Sequence, residues 1–215
     1  MKIPMNITNI WTQTASGRAF RLLAPDVAQI DFVNDVAPQL ARQARFNGAA
    51  EGFYSIAQHC VHGADALYQE TLRADLAAYF LLHDAHEAYI GDIPTPVTLA
   101  LAALGRMNGV GQEGRDIGHV LEAFRRLIDV AIWRAAGLAS PSVAIQKHIE
   151  SMDLRMLATE KRDLMRPSQQ SWNEQVERAE PVRGPSIKPF PWPKAADLWL
   201  SRLQQYCPAA LRCAA

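Results

Sequence analysis

A chain of 215 residues, 49% of them hydrophobic, is long enough to bury a substantial core within one domain. Its 22 basic residues balance 22 acidic ones, which argues against disorder and against a strong sequence-independent attraction to nucleic acid. Its three cysteines, Cys60, Cys207 and Cys213, are an odd set that suits a reducing compartment better than a disulfide framework, and no run approaches the roughly 18 to 20 apolar residues of a membrane span. With no apolar leader core at the N-terminus either, a cytoplasmic protein without membrane or stable nucleic-acid partners is expected.

In chain order, residues 9–23 alternate loosely around Ser16-Gly17 and predict a short N-terminal β-hairpin, part of an extension over residues 1–26. The spacing of Val33, Val36, Ala37, Leu40 and Ala44 predicts a first helix ending near Asn47-Gly48. A second helix follows, with Ser55 as its N-cap, and a third is expected over "ADLAAYFLLHDAHEAYI", residues 74–90, closed by Gly91 and "DIPTPV". "LEAFRRLIDVAIWRAAG" reads as an amphipathic helix stopping at Gly137, and "VAIQKHIESMDLRMLATEKRDLM" as a long helix opening after Ser140-Pro141. The stretch with Pro181, Pro185, Pro189, Pro191 and Pro193 predicts an extended strap, followed by an amphipathic helix, "AADLWLSRLQQY". The fold class expected is mainly α: a helical domain over residues 27–180, with residues 181–215 packed on it.

The third helix carries unusual chemistry. His83, Asp84, His86, Glu87 and Asp92 crowd its last turns and exit loop, directly after an apolar run. On a helix Glu87 shares a face with both His83 and Asp84, and an imidazole beside a carboxylate makes a mixed donor set for a borderline divalent cation. Two donors hold a metal poorly, so others must come from elsewhere. His59 lies on an apolar face with Ile56, Gly63 and Leu67, and Asp153 lies on a stripe with Ile149, Met156 and Leu157, where an ionised carboxylate needs a cation. Taken singly, each has a plainer explanation: His59 as a hydrogen-bonded core histidine, Asp153 as a partner of Arg155 or Arg162, Arg45 as a surface arginine near a helix end. His62 and His86 read as supporting or surface residues, and His119 and His148 as helix-surface histidines.

The ordered set "SIAQHCV", "LLHDAHEAYIGDIPTPV" and "IESMDLRML" resembles the H…HD…D signature of the HD-domain metal-dependent phosphohydrolases. It is most similar to their 5′-deoxynucleotidase-like branch, which carries an HD-x-x-E segment running into a G-D-[IL]-P-T-P turn and an Arg-aromatic pair ahead of the first histidine, here Arg45-Phe46. The resemblance covers roughly residues 27–165; it departs at Phe46, where the branch often has tryptophan, and at Thr98, where lysine is expected. It implies an HD-type helical bundle that binds one divalent ion (Co, Mn, Fe, Ni, Zn or Mg) through His59, His83, Asp84 and Asp153. It also implies a nucleotide substrate and a homodimer. Glu87 and Asp92 are then the candidate general acid or base, and Arg45, Phe46, His62 and Thr95 the candidate substrate contacts. The activity expected is hydrolysis of a deoxynucleoside 5′-monophosphate, the alternatives being a dNTP triphosphohydrolase and a metal-bearing nucleotide sensor without turnover.

Overall fold

Helices dominate the fold, as expected, with one small antiparallel sheet at the N-terminal side; the computed structural model describes residues 9–109 and 117–211, so Cys213 lies outside the described residues. Strand β1 (Trp11–Gln13) pairs with β2 (Ala19–Arg21), Thr12 opposite Phe20. The turn uses Gly17 at φ +86°, a conformation that favours glycine. The hairpin is clamped to the body by Asp35, a fully buried carboxylate that accepts from Ser16 N at 2.7 Å and Ser16 Oγ at 3.0 Å. Phe20 is fully buried and stacks on Tyr89 at 3.7 Å.

The first helix differs from its expected extent. A π turn (Phe32–Val36), capped by Asp31, leads into α1 (Ala37–Arg42), which stops well short of Asn47. Periodicity extends further because Ala44 keeps helical spacing, but the backbone there pairs across the chain instead. Ala44 forms an antiparallel bridge with Ser55; Arg45 N donates to Tyr54 O at 2.9 Å and Ile56 N to Gln43 O at 3.2 Å. Phe46 and Asn47 then adopt left-handed conformations, φ +57° and +51°, which for a bulky Phe46 stores backbone strain next to Arg45.

Helix α2 (Ile56–Thr71) opens with Ser55 as N-cap, its side chain accepting from Gln58 N, as expected. It packs on α3 (Ala74–Leu82) at very close range: a Cβ on Gly63 would lie 2.0 Å from Phe80 Cε1, so only glycine fits there. The continuous third helix expected over 74–90 is broken. Between Leu82 and Glu87 the backbone tightens to i→i−3 bonds, Ala85 N to Leu82 O at 3.1 Å and Glu87 N to Asp84 O at 3.0 Å, before α4 (Glu87–Ile90) ends at Gly91, φ +79°. The side chain of His83 competes for the ladder: its Nδ1 takes the Phe80 carbonyl at 2.6 Å.

Helix α5 (Thr95–Met107) occupies a segment that sequence reading passed over as a terminator. Its proline falls in the first turn, where a missing N–H removes no helical bond. Helix α6 (Ile117–Ala135) packs on α5, and α7 (Val143–Leu164) is capped by Ser142. A short α8 (Glu174–Arg178) precedes the proline-rich segment, which is stitched down as a strap. Val182 N donates to Thr159 Oγ1, Ile187 N to Asp163 Oδ2, and the Gln58 amide grips both Lys188 O and Phe190 N. Helix α9 (Trp192–Tyr206) then packs against α1, α2 and α3. Trp199 is fully buried with Nε1 donating to Leu81 O, and Arg202 and Tyr206 both bond Asp65. Among the described residues no single helix is long and apolar enough to cross a membrane.

Candidate metal centre

Two helices, α2 and α7, and the tightened turn after α3 bring His59, Asp153, His83 and Asp84 together. His59 Nε2 lies 3.4 Å from His83 Nε2, 3.2 Å from Asp153 Oδ1 and 3.8 Å from Asp84 Oδ2. His83 Nε2 lies 3.2 Å from Asp84 Oδ2 and 3.8 Å from Asp153 Oδ1. Two donors about 2.1 Å from one ion and about 90 to 110° apart are separated by about 3.0 to 3.4 Å, close to these values. His59, His83 and Asp84 present donor atoms all within 4.8 Å of one another, a group that could hold a metal ion.

The outer nitrogens explain why the inner ones are available. His83 Nδ1 faces the Phe80 carbonyl, which can only accept, so Nδ1 carries the proton and Nε2 a lone pair. His59 Nδ1 faces Glu160 Oε1 at 2.6 Å, with the same consequence. Two lone pairs therefore meet two carboxylates, an arrangement that is repulsive unless a proton or a metal ion fills it. Asp153 Oδ1 is buried without a hydrogen-bond partner, although the side chain as a whole is 42% exposed, so one oxygen faces the centre while the residue borders an opening. The rival partners of Asp153 are engaged elsewhere: Arg155 binds Glu70 at 2.7 and 2.8 Å, and Arg162 binds Asp163 at 2.7 Å. The donor set fits a borderline divalent cation.

Electrostatics support the same reading. Burial opposes protonation of His83, but the Asp84 charge and the closeness of the Asp153 and Asp84 carboxylates outweigh it and hold the ring well above the ordinary imidazole range. Burial and the Arg45 charge likewise oppose protonation of His59, and Glu160 and Asp153 overcome them. Asp84 and Asp153 are held well below the usual carboxylate range despite burial, because both imidazoles face them. Burial pushes the nearby Cys60 thiol up to about 11, so it borders the site as a neutral thiol.

A metal must displace the protons that occupy this centre. The raised imidazole values extend that competition above the ordinary value of about 6.5. Affinity for Zn(II) should therefore fall as pH is lowered, by up to about a hundredfold per unit when two protons are displaced. Calorimetric titration in buffers of different ionisation enthalpy counts those protons, and a pH-independent affinity would exclude the two imidazoles as ligands.

Around the donors, Arg45 is placed by its bridge to Tyr54. Its Nη1 lies 3.2 Å from Asp84 Oδ2 and its Nε 3.4 Å from Glu160 Oε2. Phe46 lies 5.4 Å from the Arg45 guanidinium and 6.0 Å from the Trp172 ring. Glu87 is buried with Oε2 unpartnered. Burial first, then the charges of Asp84 and Asp92, push its carboxyl well above the usual range, which favours the protonated form. Asp92 is also raised by burial, with Arg45 opposing.

His62 sits three residues beyond His59 but turns to the strap, 3.2 Å from the Gln58 amide and edge-on to Phe190. Thr95 is exposed in the first turn of α5, outside this bonded set among the described residues. His86 is buried against Asp129 of α6 at 2.9 Å, so it supports the turn between α3 and α4. His119 and His148 are exposed on helix surfaces.

Sequence reading missed Glu160, Tyr54 and Trp172. Glu160 follows Asp153 by two helical turns, a same-face spacing that could have marked it; Tyr54 and Trp172 carry no comparable local signal.

No protein-family model matches the chain. Over 132 residues, 61% of its length, it is 36% identical to the uncharacterized protein YfdR of Escherichia coli (strain K12), covering 60% of that protein. Over 97 residues, 42% of its length, it is 38% identical to an uncharacterized protein of Rhodobacter capsulatus, covering 48% of that one. The chain thus spans about half to three-fifths of the length of these curated relatives, and neither name states an activity.

Proposed function

We propose that the chain is a metal-dependent phosphohydrolase of the HD type acting on nucleotides, most simply a 5′-deoxynucleotidase. The observation that carries this reading is that donor atoms of His59, His83 and Asp84 lie within 4.8 Å of one another, with Asp153 Oδ1 3.2 Å from His59 Nε2 and a guanidinium 3.2 Å from Asp84. His59, His83, Asp84 and Asp153 would hold one divalent ion, whose chemistry is to neutralise phosphoryl charge and lower the pKa of a bound water.

The chain's own residues supply the remainder. Arg45 offers its guanidinium to the phosphate oxygens, and Phe46 presents a ring face for a base or sugar. A water oxygen bonds to phosphorus as the bond from phosphorus to the 5′-oxygen breaks, and the proton shed by that water passes to solvent, from which the acid form of the donor is restored. Glu87, kept in its acid form by burial, gives its proton to that leaving oxygen, and Asp92 is the other group able to do so. The deoxyribose preference rests on the resemblance of residues 83–97 to the deoxynucleotidase branch.

The test is a phosphate-release screen of metal-reconstituted protein against deoxy- and ribonucleoside mono-, di- and triphosphates, with product analysis. Deoxynucleoside plus phosphate, formed faster from deoxy- than from ribonucleotides, is the expected outcome. Nucleoside plus triphosphate from a dNTP would replace the monophosphate reading, and nucleotide binding without turnover in metal-replete protein would make the chain a sensor.

A further inference from the structure

Glu160 takes no part in the steps above, yet it is a fully buried charge at the back of the centre. Its Oε1 accepts from the Tyr54 hydroxyl at 2.8 Å and from His59 Nδ1 at 2.6 Å, and its Oε2 faces Arg45 Nε at 3.4 Å. An apolar residue of similar volume would fill this space without the cost of desolvating a carboxylate. What it could not do is orient two functional side chains at once. An imidazole whose Nδ1 proton is taken by a carboxylate presents Nε2 in a fixed direction. The Arg45 Nε faces the second carboxylate oxygen as an ion pair at 3.4 Å without a hydrogen bond, while its Nη1 meets Asp84.

We propose that Glu160 is the positioning residue of the centre, coupling metal binding at His59 to phosphate binding at Arg45. This rests on the metal-centre reading and on Arg45 as the phosphate contact. Loss of the Glu160 charge should weaken both ligands together.

The experiment measures Zn(II) affinity of the full chain, and inorganic phosphate affinity at saturating Zn(II), for wild type, Glu160→Gln, Arg45→Ala and Tyr54→Phe. Glutamine preserves volume but removes the charge and sets an amide N–H against Arg45. Glu160→Gln should lose about ten- to a hundredfold in Zn(II) affinity and about tenfold or more in phosphate affinity. Arg45→Ala should lose phosphate affinity at saturating Zn(II), and Tyr54→Phe, which leaves the carboxylate in place, should keep both affinities within about threefold. A folded Glu160→Gln protein with wild-type Zn(II) affinity would overturn the proposal, and so would equal losses in Tyr54→Phe, which would mark a packing effect.

Should Glu160→Gln not fold, histidine nitrogen NMR of Zn(II)-loaded wild type decides. Nδ1 of His59 must be protonated and Nε2 bound, and binding through Nδ1 sinks the idea. None of these readouts uses turnover. A chain that binds metal in a Glu160-dependent way but hydrolyses no nucleotide upholds this inference and removes the phosphohydrolase reading. A nucleotidase whose metal affinity is indifferent to Glu160 does the reverse.

Discussion

Replacement of His83 or Asp153 by alanine is expected to take the bound divalent ion from one per chain to a small residue under equilibrium dialysis. Each substitution removes one of four converging donors, so the loss in affinity should exceed the roughly hundredfold typical of an outer-shell contact. Turnover should disappear with the metal. The two variants differ in a useful way. The His83 ring lies tilted against Phe80 at 4.4 Å between centroids and bonds its carbonyl, so His83→Ala also loosens the tightened turn. Asp153 is partly exposed and borders the opening, so Asp153→Ala should leave the helical circular dichroism of the wild type intact while still losing metal. Unchanged metal content by elemental analysis in both folded variants would remove the four-residue assignment.

Glu87→Gln is expected to keep metal and fold while losing about two to four orders of magnitude in turnover, the range associated with a general acid or base. The amide reproduces the size and neutrality of the protonated carboxyl but has no proton to give. Burial and the neighbouring Asp84 and Asp92 charges favour the acid form of Glu87, and its Oε2 is buried without a partner, as a group reserved for substrate would be. Asp92→Asn in parallel assigns the role. Near wild-type turnover in metal-replete Glu87→Gln together with a large loss in Asp92→Asn would transfer proton donation to Asp92.

How much of this was legible beforehand depends on the range of the interaction. His59, His83, Asp84 and Asp153 stood out because each is a titratable residue on an apolar helix face, and periodicity along one segment reports which face is apolar. The structure brings the four together, with inner donor separations of 3.2 to 3.8 Å. Ser55 as a cap, the hairpin around Gly17 and the strap were equally local features, written in residue types with narrow backbone preferences. Glu87 was singled out by helical spacing from His83 and Asp84, but the helix is broken between them.

What the sequence could not decide were the features that depend on contacts between distant segments. Helical spacing does not distinguish a continuous helix from one tightened at residues 83–86, because that change follows from the His83 ring competing for the Phe80 carbonyl. Arg45 left its expected helix because Ala44 pairs with Ser55, a bridge no local pattern announces, and only that departure carries the guanidinium to Asp84. In the sequence Glu160 is one charge in a run that also includes Lys161 and Arg162. Its burial exists only because α2 and the 45–54 loop close over α7, bringing His59, Tyr54 and Arg45 within reach of its two oxygens. The sequence by itself determined which donors the chain possesses and, for His59 and Asp153, on which helix faces they lie. The tertiary structure alone decided which nitrogen each imidazole offers, because the acceptor facing a ring's other nitrogen sets its tautomer, and for His59 that acceptor arrives from another helix.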